Sequence, residues 1–378
     1  MEAGKLDQKT EGVFLGYGTE EDFKGKDLKK KIVLIKGGSP EDEGVRGAYM
    51  ARSAKAKRAK EAGALAVIEL IKADGGSWGY LQNNFGSART QLVSVDDNDG
   101  RGFSYLWVQD EYGTLGLEFE EGKRSIKMTC SGPRKEPMTS QNVVGYIPGT
   151  DPVLKDEFII YSAHYDHVGV DETKEGDGIF NGARDNAVGV TTVMSMAEHL
   201  GKYPTKRSAL FILFTAEEKG LLGSKYYVEN PVFPLNHMVF CFNSDNGGYN
   251  DTTIATIVGL GRTSAENNIK IAANAFGLTA KDDPAPEQGL FDRSDNVNFA
   301  KAGIPAPTYS LGFTAFDAEI MKYYHQVGDH ADSLDYDYLE QFFRSYVLSG
   351  VLIGNDPVTP TWNSGDKYEA AGKSLYKK

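Results

Sequence analysis

The sequence predicts an α/β protein with a mixed, mostly parallel sheet flanked by helices, preceded by a smaller β-rich module. In the second part of the chain, apolar strand-like runs alternate with helical patterns, which is typical of a largely parallel sheet covered on both faces. Each of these apolar runs ends in polar or acidic residues. A stretch rich in Pro, Ser and charge, residues 132–141, marks the boundary between the two parts.

The first module is predicted over residues 11–135. Two strands and one Lys/Arg/Ala-rich helix are expected at 12–18, 31–36 and 48–63. After a further buried strand, ALAVIELI, the short apolar alternations TQLVSV, FSYLWV, TLGLEF and SIKMTC predict mostly strands and loops. No cluster of His, Asp and Glu with ligand-like spacing occurs before residue 160, so this module carries no predicted metal site.

The larger domain is predicted over residues 138–365, followed by a C-terminal tail at 366–378. Its strand-like runs are QNVVGYIPG, EFIIYSAHYD, SALFILFTAEE and HMVFCFNSD. Helical patterns lie at 187–200, 220–229, 264–276 and 335–354. Because ligands bind beyond the carboxyl ends of the strands in such sheets, the polar residues at those ends are the first candidates for a site.

Composition narrows the classes of function. A net charge of −12 and a pI near 5.1 argue against nucleic acid and anionic membrane surfaces as partners. No apolar run approaches the length of a membrane span. The two cysteines, Cys130 and Cys241, are too few for a zinc–thiolate site. The polar N-terminus has no signal peptide, so we expect a cytosolic protein or a chain that begins within a longer precursor.

Asp185 lies in the stretch GIFNGARDNAVGV, between turn residues and a run with helical spacing. An isolated Asp in this position is more often a helix cap than a metal ligand. The surrounding motifs AHYDH, TAEEKG, NSDNGG and YYHQVGD all carry ligand-type side chains. We therefore interpret Asp185 as a carboxylate that bridges two metal ions.

Two further pairs of candidate residues end predicted strands. His164 and Asp166 share one face of a strand, so the carboxylate can orient an imidazole that binds metal. Glu217 and Glu218 follow a nearly all-apolar strand and would point in opposite directions in an extended chain. One could then bind metal while the other accepts a proton from metal-bound water. The alternative is the first turn of the following helix, where the helix dipole favours Glu.

Asp245 ends the strand HMVFCFNSD, and His325 lies in a loop before the last predicted helix. His167 and His330 flank this set and are candidates for lining the pocket or supporting the ligands. One His, a shared Asp and one Glu would serve one ion, and a second His and Asp would complete the other. Imidazole and carboxylate ligands without thiolate suit zinc in a hydrolytic site with open positions.

These motifs resemble, in order, those of the M28 family of di-zinc aminopeptidases, over roughly 138–365. The motifs are AHYDH, GARDNAVGV, FTAEEKGLLGS, NSDNGG, RSDNVNFAKAGIPA and YYHQVGD. The resemblance implies two Zn²⁺ ions per chain, one held by His164, Asp185 and Asp245 and the other by Asp185, Glu218 and His325. It implies that Glu217 is the general base, that Asp166 supports His164, and that Tyr324 helps to hold the substrate carbonyl oxygen. It also implies a cis peptide bond between Asp185 and Asn186.

Residues 11–135 resemble a protease-associated (PA) domain through GVFLGYG, DFKGKDLKKKIVLIKGG and AKRAKEAGALAVIEL. In the family this is a non-catalytic lid or substrate-positioning module. The helical segment that usually precedes it is missing here, and Ser294-Asp295-Asn296 stands where the family often has Ser-Asp-His. The resemblance further implies peptide substrates with a free N-terminus and a secreted or periplasmic location. The oligomeric state stays open.

The resemblance favours a metal-dependent aminopeptidase, and two alternatives remain. A carboxypeptidase or glutaminyl cyclase could use the same scaffold, although cyclases of this architecture use one zinc ion and the full two-ion set argues against them. A carboxypeptidase would differ in pocket shape rather than in ligands. A non-catalytic binding protein on a degenerate peptidase fold would have lost ligands or the base, and this sequence retains all of them.

Overall fold

The computed structural model describes residues 5–86, 89–93, 103–120, 124–131 and 136–377. Part of the predicted strand TQLVSV (94–95) and part of the predicted boundary (132–135) lie outside these ranges. The chain divides into two compact units, Met1–Met138 (unit 1) and Thr139–Lys378 (unit 2), each with its own sheet. Across the described ranges, no helix is both long enough and apolar enough to cross a membrane.

Unit 1 is built on a five-stranded sheet. Its strands are β1 (Leu6–Phe14), β2 (Ile32–Lys36), β3 (Ala66–Ile71), β4 (Ser104–Gln109) and β5 (Arg124–Cys130). Its helices are α1 (Glu20–Phe23), α2 (Val45–Glu61), α3 (Gly75–Phe85) and α4 (Thr114–Glu120). The strand order is β4-β3-β2-β1-β5, in which the first four strands run parallel and β5 is antiparallel to β1.

Two helices of unit 1, α3 and α4, occupy a segment for which the sequence pattern predicted mostly strands and loops. Helix α3 begins at an N-cap, Asp74, whose carboxylate accepts a backbone hydrogen bond of 2.7 Å. The strand predicted for TLGLEF is wrong. Its apolar residues alternate in the sequence, but Leu117 is 60% exposed, so the alternation does not correspond to a buried face of a strand. Instead, the buried Asp110 carboxylate accepts hydrogen bonds from the N–H groups of Leu115 and Gly116 at 3.1 and 3.0 Å and so caps α4.

A buried charged cluster centred on Glu69 lies within unit 1. The Glu69 carboxylate accepts hydrogen bonds from Lys55 Nζ at 2.5 Å, Trp107 Nε1 at 2.6 Å, the Tyr105 hydroxyl at 2.9 Å and the Gly38 N–H at 3.2 Å. Both carboxylate oxygens therefore have partners, as buried charge requires. The cluster joins β3 to β4 and to α2.

Unit 2 contains a seven-stranded mixed sheet covered by helices. Its strands are β6 (Val143–Ile147), β7 (Phe158–His164), β8 (Ser208–Phe214), β9 (Met238–Ser244), β10 (Ile254–Val258), β11 (Thr279–Lys281) and β12 (Thr308–Leu311). Its helices are α5 (Gly189–Lys202), α6 (Leu222–Glu229), α7 (Glu266–Ala275), α8 (Asn296–Ala302), α9 (Ala318–Met321), α10 (Tyr336–Asn355) and α11 (Glu369–Leu375). The strand order is β11-β10-β12-β9-β7-β8-β6, with β12, β9, β7 and β8 parallel to one another. The predicted α/β class with a mixed, mostly parallel sheet is confirmed.

The core of unit 2 forms two clusters, because alternate residues of each strand point to opposite faces of the sheet. One cluster packs strand residues such as Tyr161 and Phe242 against α5, α7 and α10. Here the rings of Phe242 and Tyr346 stack with centroids 4.4 Å apart. The other cluster contains Phe299 of α8 together with Trp362. Both faces of the sheet are therefore buried, as its apolar strands require.

The C-terminal residues, which the sequence pattern left as a tail at 366–378, belong to unit 2 and include α11. Tyr368 and Leu375 are partly buried against the second cluster. The Tyr376 hydroxyl donates a hydrogen bond of 2.6 Å to the Met238 carbonyl at the start of β9. Aromatic burial thus holds this segment against the sheet.

Candidate metal centre

The parallel strands β8, β7 and β9 bring their carboxyl ends together at one edge of the unit 2 sheet. His164 is the last residue of β7, and Asp245 follows β9 directly. Glu217 and Glu218 come three and four residues after the end of β8. Side chains from separate parts of the sequence therefore reach one small volume, as the strand-end rule leads one to expect.

Asp185 lies between two histidines at this edge. Its Oδ1 is 3.2 Å from His164 Nε2, and its Oδ2 is 3.2 Å from His325 Nε2. The peptide bond between Asp185 and Asn186 is cis, in agreement with the family resemblance. The Asn186 side-chain amide donates a hydrogen bond of 3.0 Å to the Ser244 carbonyl, which ties the Asp185 segment to the end of β9. One carboxylate thus faces two groups of donor atoms.

Both groups have donor spacings that suit a metal ion. In the first group, His164 Nε2 is 3.2 Å from both Asp185 Oδ1 and Asp245 Oδ1. In the second, His325 Nε2 is 3.2 Å from Asp185 Oδ2 and 3.3 Å from Glu218 Oε2. Nitrogen and oxygen ligands of one tetrahedral zinc ion lie about 3.3 Å apart. The spacing of the donors in each group therefore fits a zinc ion.

Asp166 fixes the turn that carries the two glutamates. Its carboxylate accepts hydrogen bonds from the N–H groups of Glu217 at 3.0 Å and Glu218 at 3.2 Å. Its Oδ1 also lies 3.8 Å from His164 Nδ1. Glu217 and Glu218 are neither extended nor in the first turn of α6. They follow Ala216, whose φ of 54° starts a tight turn, and this backbone change sets the directions of their side chains.

Burial and neighbouring charges shift the pKa values of these donors strongly. Burial, reinforced by the Asp245 carboxylate, raises the pKa of Glu217 to about 10. Burial acts against the shift at Glu218, where contacts with His167 and His325 nevertheless lower the pKa to about 2. Burial likewise opposes protonation of His325, yet the adjacent carboxylates raise its pKa to about 9. The imidazoles hold positive charge among the carboxylates, and a divalent cation competes with their protons for the same donor atoms.

A cleft of about 390 Å³ lies over the donors, within unit 2. The Tyr324 ring stacks on His325 with centroids 4.0 Å apart, and its hydroxyl accepts a hydrogen bond of 3.2 Å from Arg293. Burial raises the pKa of Tyr324 to about 12, so the hydroxyl keeps its proton at neutral pH and can donate it in a hydrogen bond. The apolar side chains of the lining are Leu221, Val258, Leu290, Phe313, Phe316 and Ile320.

Arg184 and Asp329 form a buried ion pair that the sequence pattern did not reveal. The Asp329 carboxylate accepts hydrogen bonds from Arg184 Nη1 at 2.9 Å and from the backbone N–H groups of Arg184 and Asp185 at 2.9 and 3.2 Å. The Arg184 guanidinium lies 3.7 Å from the centre of the Tyr323 ring. We call this pair the Arg184–Asp329 clamp, because it joins the Asp185 segment to the segment that carries His325.

The two flanking histidines have different positions. His167 lies in the second group, where its donor atom and those of Asp185 and Glu218 are all within 4.8 Å of one another. His330 instead contacts Asp177, 3.7 Å away, outside both donor groups. The sequence pattern did not distinguish these two histidines, because each lies next to a candidate ligand motif. Only the path of the backbone in the folded protein brings His167, and not His330, to the donor atoms.

Comparisons with known proteins agree with this architecture. Residues 142–348 match the model of peptidase family M28. Aminopeptidase YwaD of Bacillus subtilis is 28% identical over 339 residues, which cover 86% of this chain and 63% of YwaD. Leucine aminopeptidase 2 of Arthroderma otae is 27% identical over 328 residues, 81% of this chain and 59% of that protein. The chain therefore spans less than two thirds of the length of these two relatives.

Among solved structures, an aminopeptidase from Aneurinibacillus sp. strain AM-1 superposes with a TM-score of 0.59 at 24% sequence identity. The superposition covers 96% of this chain and 79% of that chain, and it shows a shared fold. The family match covers more than half of the 378 residues and includes the whole set of candidate donors. On this basis the chain belongs to peptidase family M28.

Proposed function

We propose that the protein is a zinc aminopeptidase that removes N-terminal residues from peptides with a free N-terminus. The observation that carries this proposal is the position of Asp185, whose two oxygens each lie 3.2 Å from a different histidine. Membership of peptidase family M28 and the aminopeptidases among its relatives support the same conclusion.

In this proposal two zinc ions are held by His164, Asp185 and Asp245 and by Asp185, Glu218 and His325. When bound, the ions would hold and acidify a water and polarise the scissile carbonyl group. Buried polar atoms support their presence: among the residues that the structure describes, Glu218 Oε1 is buried without a hydrogen-bond partner. A buried acceptor without a hydrogen-bond donor is rare unless a cation or a water molecule binds to it.

Glu217 is the general base in this proposal, because bound cations beside it would lower the raised pKa of its carboxyl group and leave it ionised. Its carboxylate lines the cleft beside both donor groups, and Asp166 holds its backbone in place. It takes a proton from the attacking water and passes that proton to the leaving amine. Tyr324 donates a hydrogen bond to the carbonyl oxygen as negative charge develops there.

The excess of carboxylates in the cleft explains the preference for a free N-terminus. Asp185, Glu217, Glu218 and Asp245 all line it, so a substrate ammonium group meets complementary charge. A carboxypeptidase is the second candidate, because Arg293 also lines the cleft and could bind a terminal carboxylate. Arg293 already donates a hydrogen bond to the Tyr324 hydroxyl. It is therefore less available to bind a substrate carboxylate, which favours the aminopeptidase.

Two assays test the proposal. The protein should hydrolyse an aminoacyl anilide with a free amine and not its N-acetylated form, and a chelator should abolish the reaction reversibly. Glu217→Gln should retain zinc while kcat falls roughly 10²–10⁴-fold, the usual contribution of a general base. Equal rates on the acetylated substrate, or cleavage only at a free C-terminus, would overturn the aminopeptidase assignment.

We further propose that residues 11–135 form a PA domain and residues 138–365 a peptidase domain, and that the protein is secreted or periplasmic. The match to YwaD extends over 339 residues, which is longer than unit 2 and therefore includes part of unit 1. The family resemblance supports the location. Fractionation of the source cells, with activity found mainly in the cytosol, would contradict it.

A further inference from the structure

We propose that His167 is a further metal ligand, a second imidazole on the ion held by Asp185, Glu218 and His325. The inference rests on the proposed two-zinc centre and adds a residue to it. The five ligands proposed above do not include His167. Its ring nevertheless reaches the second group.

His167 and Glu218 are in close contact, but no ring N–H of His167 is aligned on the carboxylate. His167 Nδ1 lies 2.9 Å from Glu218 Oε1. Yet within the described part of the chain neither atom has a hydrogen-bond partner, and the other ring nitrogen, Nε2, has none either. Two buried polar atoms at this separation, without an aligned N–H between them, are the arrangement expected of two ligands that share a cation.

The distances also fit one coordination sphere. Two donors at zinc-ligand distance lie about 2.9 Å apart at right angles and about 4.1 Å apart on opposite sides of the ion. His167 Nδ1 is 2.9 Å from Glu218 Oε1 and 4.0 Å from Asp185 Oδ2. Both separations are therefore compatible with one zinc ion that His167, Asp185 and Glu218 would hold. Catalytic zinc sites accept such expansion from four to five ligands.

The fold holds the His167 ring in this position. The side chain is only 10% exposed. A Cβ atom at Gly182 would lie 2.8 Å from Cγ and 3.0 Å from Cδ2 of the ring, so only glycine allows the ring to lie there. On the other side the ring meets His325, with centroids 5.6 Å apart. A ligand fixed by packing loses little conformational freedom when the ion binds.

The two ions should therefore be held unequally. In this proposal four side chains, two of them imidazoles, would hold the ion beside His167, whereas three would hold the ion beside His164 and Asp245. Closed sites retain zinc, and open sites exchange ligands with substrate and water. We expect a chelator to remove the ion beside His164 first and the ion beside His167 last.

The test compares wild type with His167→Ala, His167→Asn and the control His199→Ala. His199 lies on α5 with its ring against Tyr203, outside both donor groups. Each protein is dialysed against zinc buffers of graded free concentration, and zinc per chain is measured. Both His167 variants should weaken the more tightly held ion at least tenfold, since even loss of a group that merely orients a ligand costs roughly 10–100-fold. The control should match wild type.

Asparagine separates a ligand from a hydrogen-bond partner, because its amide can donate to Glu218 but binds zinc poorly. If His167→Asn keeps the wild-type zinc affinities, His167 only positions Glu218 and the inference is wrong. X-ray absorption at the zinc edge of the wild-type protein gives an answer that needs no variant. Three imidazoles shared by two ions support the inference, and two contradict it. Wild type that binds fewer than two zinc ions would instead refute the two-zinc centre itself.

Discussion

Asp329→Asn tests whether the Arg184–Asp329 clamp positions the metal ligands or only stabilises the fold. The change keeps the shape of the side chain and removes its charge. Asp329 is 1% exposed and Arg184 is 3% exposed, so the variant leaves a cationic guanidinium buried without its counter-ion. We expect both a loss of stability and a loss of function, and the two can be measured separately.

The cost in stability follows from the contacts that remain. Breaking a buried ion pair by removing one partner costs about 3–5 kcal/mol. Arg184 keeps hydrogen bonds to the Ser333 hydroxyl and carbonyl at 2.8 and 2.9 Å and its contact with the Tyr323 ring. The lower end of the range, about 3 kcal/mol, is therefore the better expectation. For a domain of this size that loss lowers Tm by roughly 6–12 °C.

The functional effect arises because the clamp spans two ligand segments. It holds the backbone N–H of Asp185 on one side and packs on Tyr323, two residues before His325, on the other. When the clamp is loosened, the spacing between Asp185 and His325 is no longer fixed. Asp329→Asn should therefore weaken zinc binding and lower kcat at temperatures well below its Tm, where the protein is still folded.

Glu157→Gln is a matched control for this experiment. Glu157 pairs with Arg207, another fully buried arginine of unit 2, at 2.7 Å, and neither residue belongs to the donor groups. The control should lose stability and keep its zinc content and kcat. Wild-type zinc affinity and kcat in Asp329→Asn would refute the positioning role. An equal loss of kcat in Glu157→Gln would show that general destabilisation is the cause.

Three further predictions follow from the side chains described above. Tyr324→Phe should lower kcat roughly 10²–10³-fold with little change in KM, the usual effect of losing one donor to a developing oxyanion. Glu69→Gln leaves the Lys55 charge buried and should cost unit 1 about 3–5 kcal/mol in urea denaturation, while zinc content stays unchanged. In chelator-treated protein, the folded-state pKa values of His325 (about 9) and Glu217 (about 10) lie above their unfolded values. The free energy of unfolding should therefore fall as pH rises from 6.5 to 9, and added zinc should reverse this trend because zinc binds the deprotonated donors. Equal urea midpoints at pH 6.5 and 9 would contradict this.

The sequence predicted the fold of unit 2 well because one physical rule shows which residues, distant in the sequence, lie close together in the structure. Apolar strands of a parallel sheet end at a common edge, so the polar residues that follow β7, β8 and β9 meet there. His164, Glu218 and Asp245 were found by this rule. Asp185 lies in the irregular π-helical segment Ala183–Val188 and His325 lies in a turn, so only the ligand-type side chains in the surrounding motifs pointed to them. Short strands such as β10 and β12 gave no comparable signal, because four or five residues carry too little periodicity.

What the sequence could not predict depends on contacts between distant residues. Helix α4 forms because Asp110 caps it from outside the helix, so its own alternating pattern was misleading. Arg184 and Asp329 are 145 positions apart, and nothing in either local motif pairs them. His167 lies in the second donor group because of the direction that the backbone takes after β7. The amino-acid sequence of this segment does not show that direction.

The division of aromatic residues between the two units has a practical use. Trp107 lies in the core of unit 1 and Trp78 packs partly buried against it, whereas Trp362, the third and last tryptophan, lies in the core of unit 2. Replacing Trp362 with phenylalanine would confine indole fluorescence to the first unit. During unfolding of that variant, tryptophan emission would report on unit 1 and circular dichroism on both units. Coincident transitions would show that the two units unfold cooperatively, and separate transitions that they unfold in succession, without any attached label.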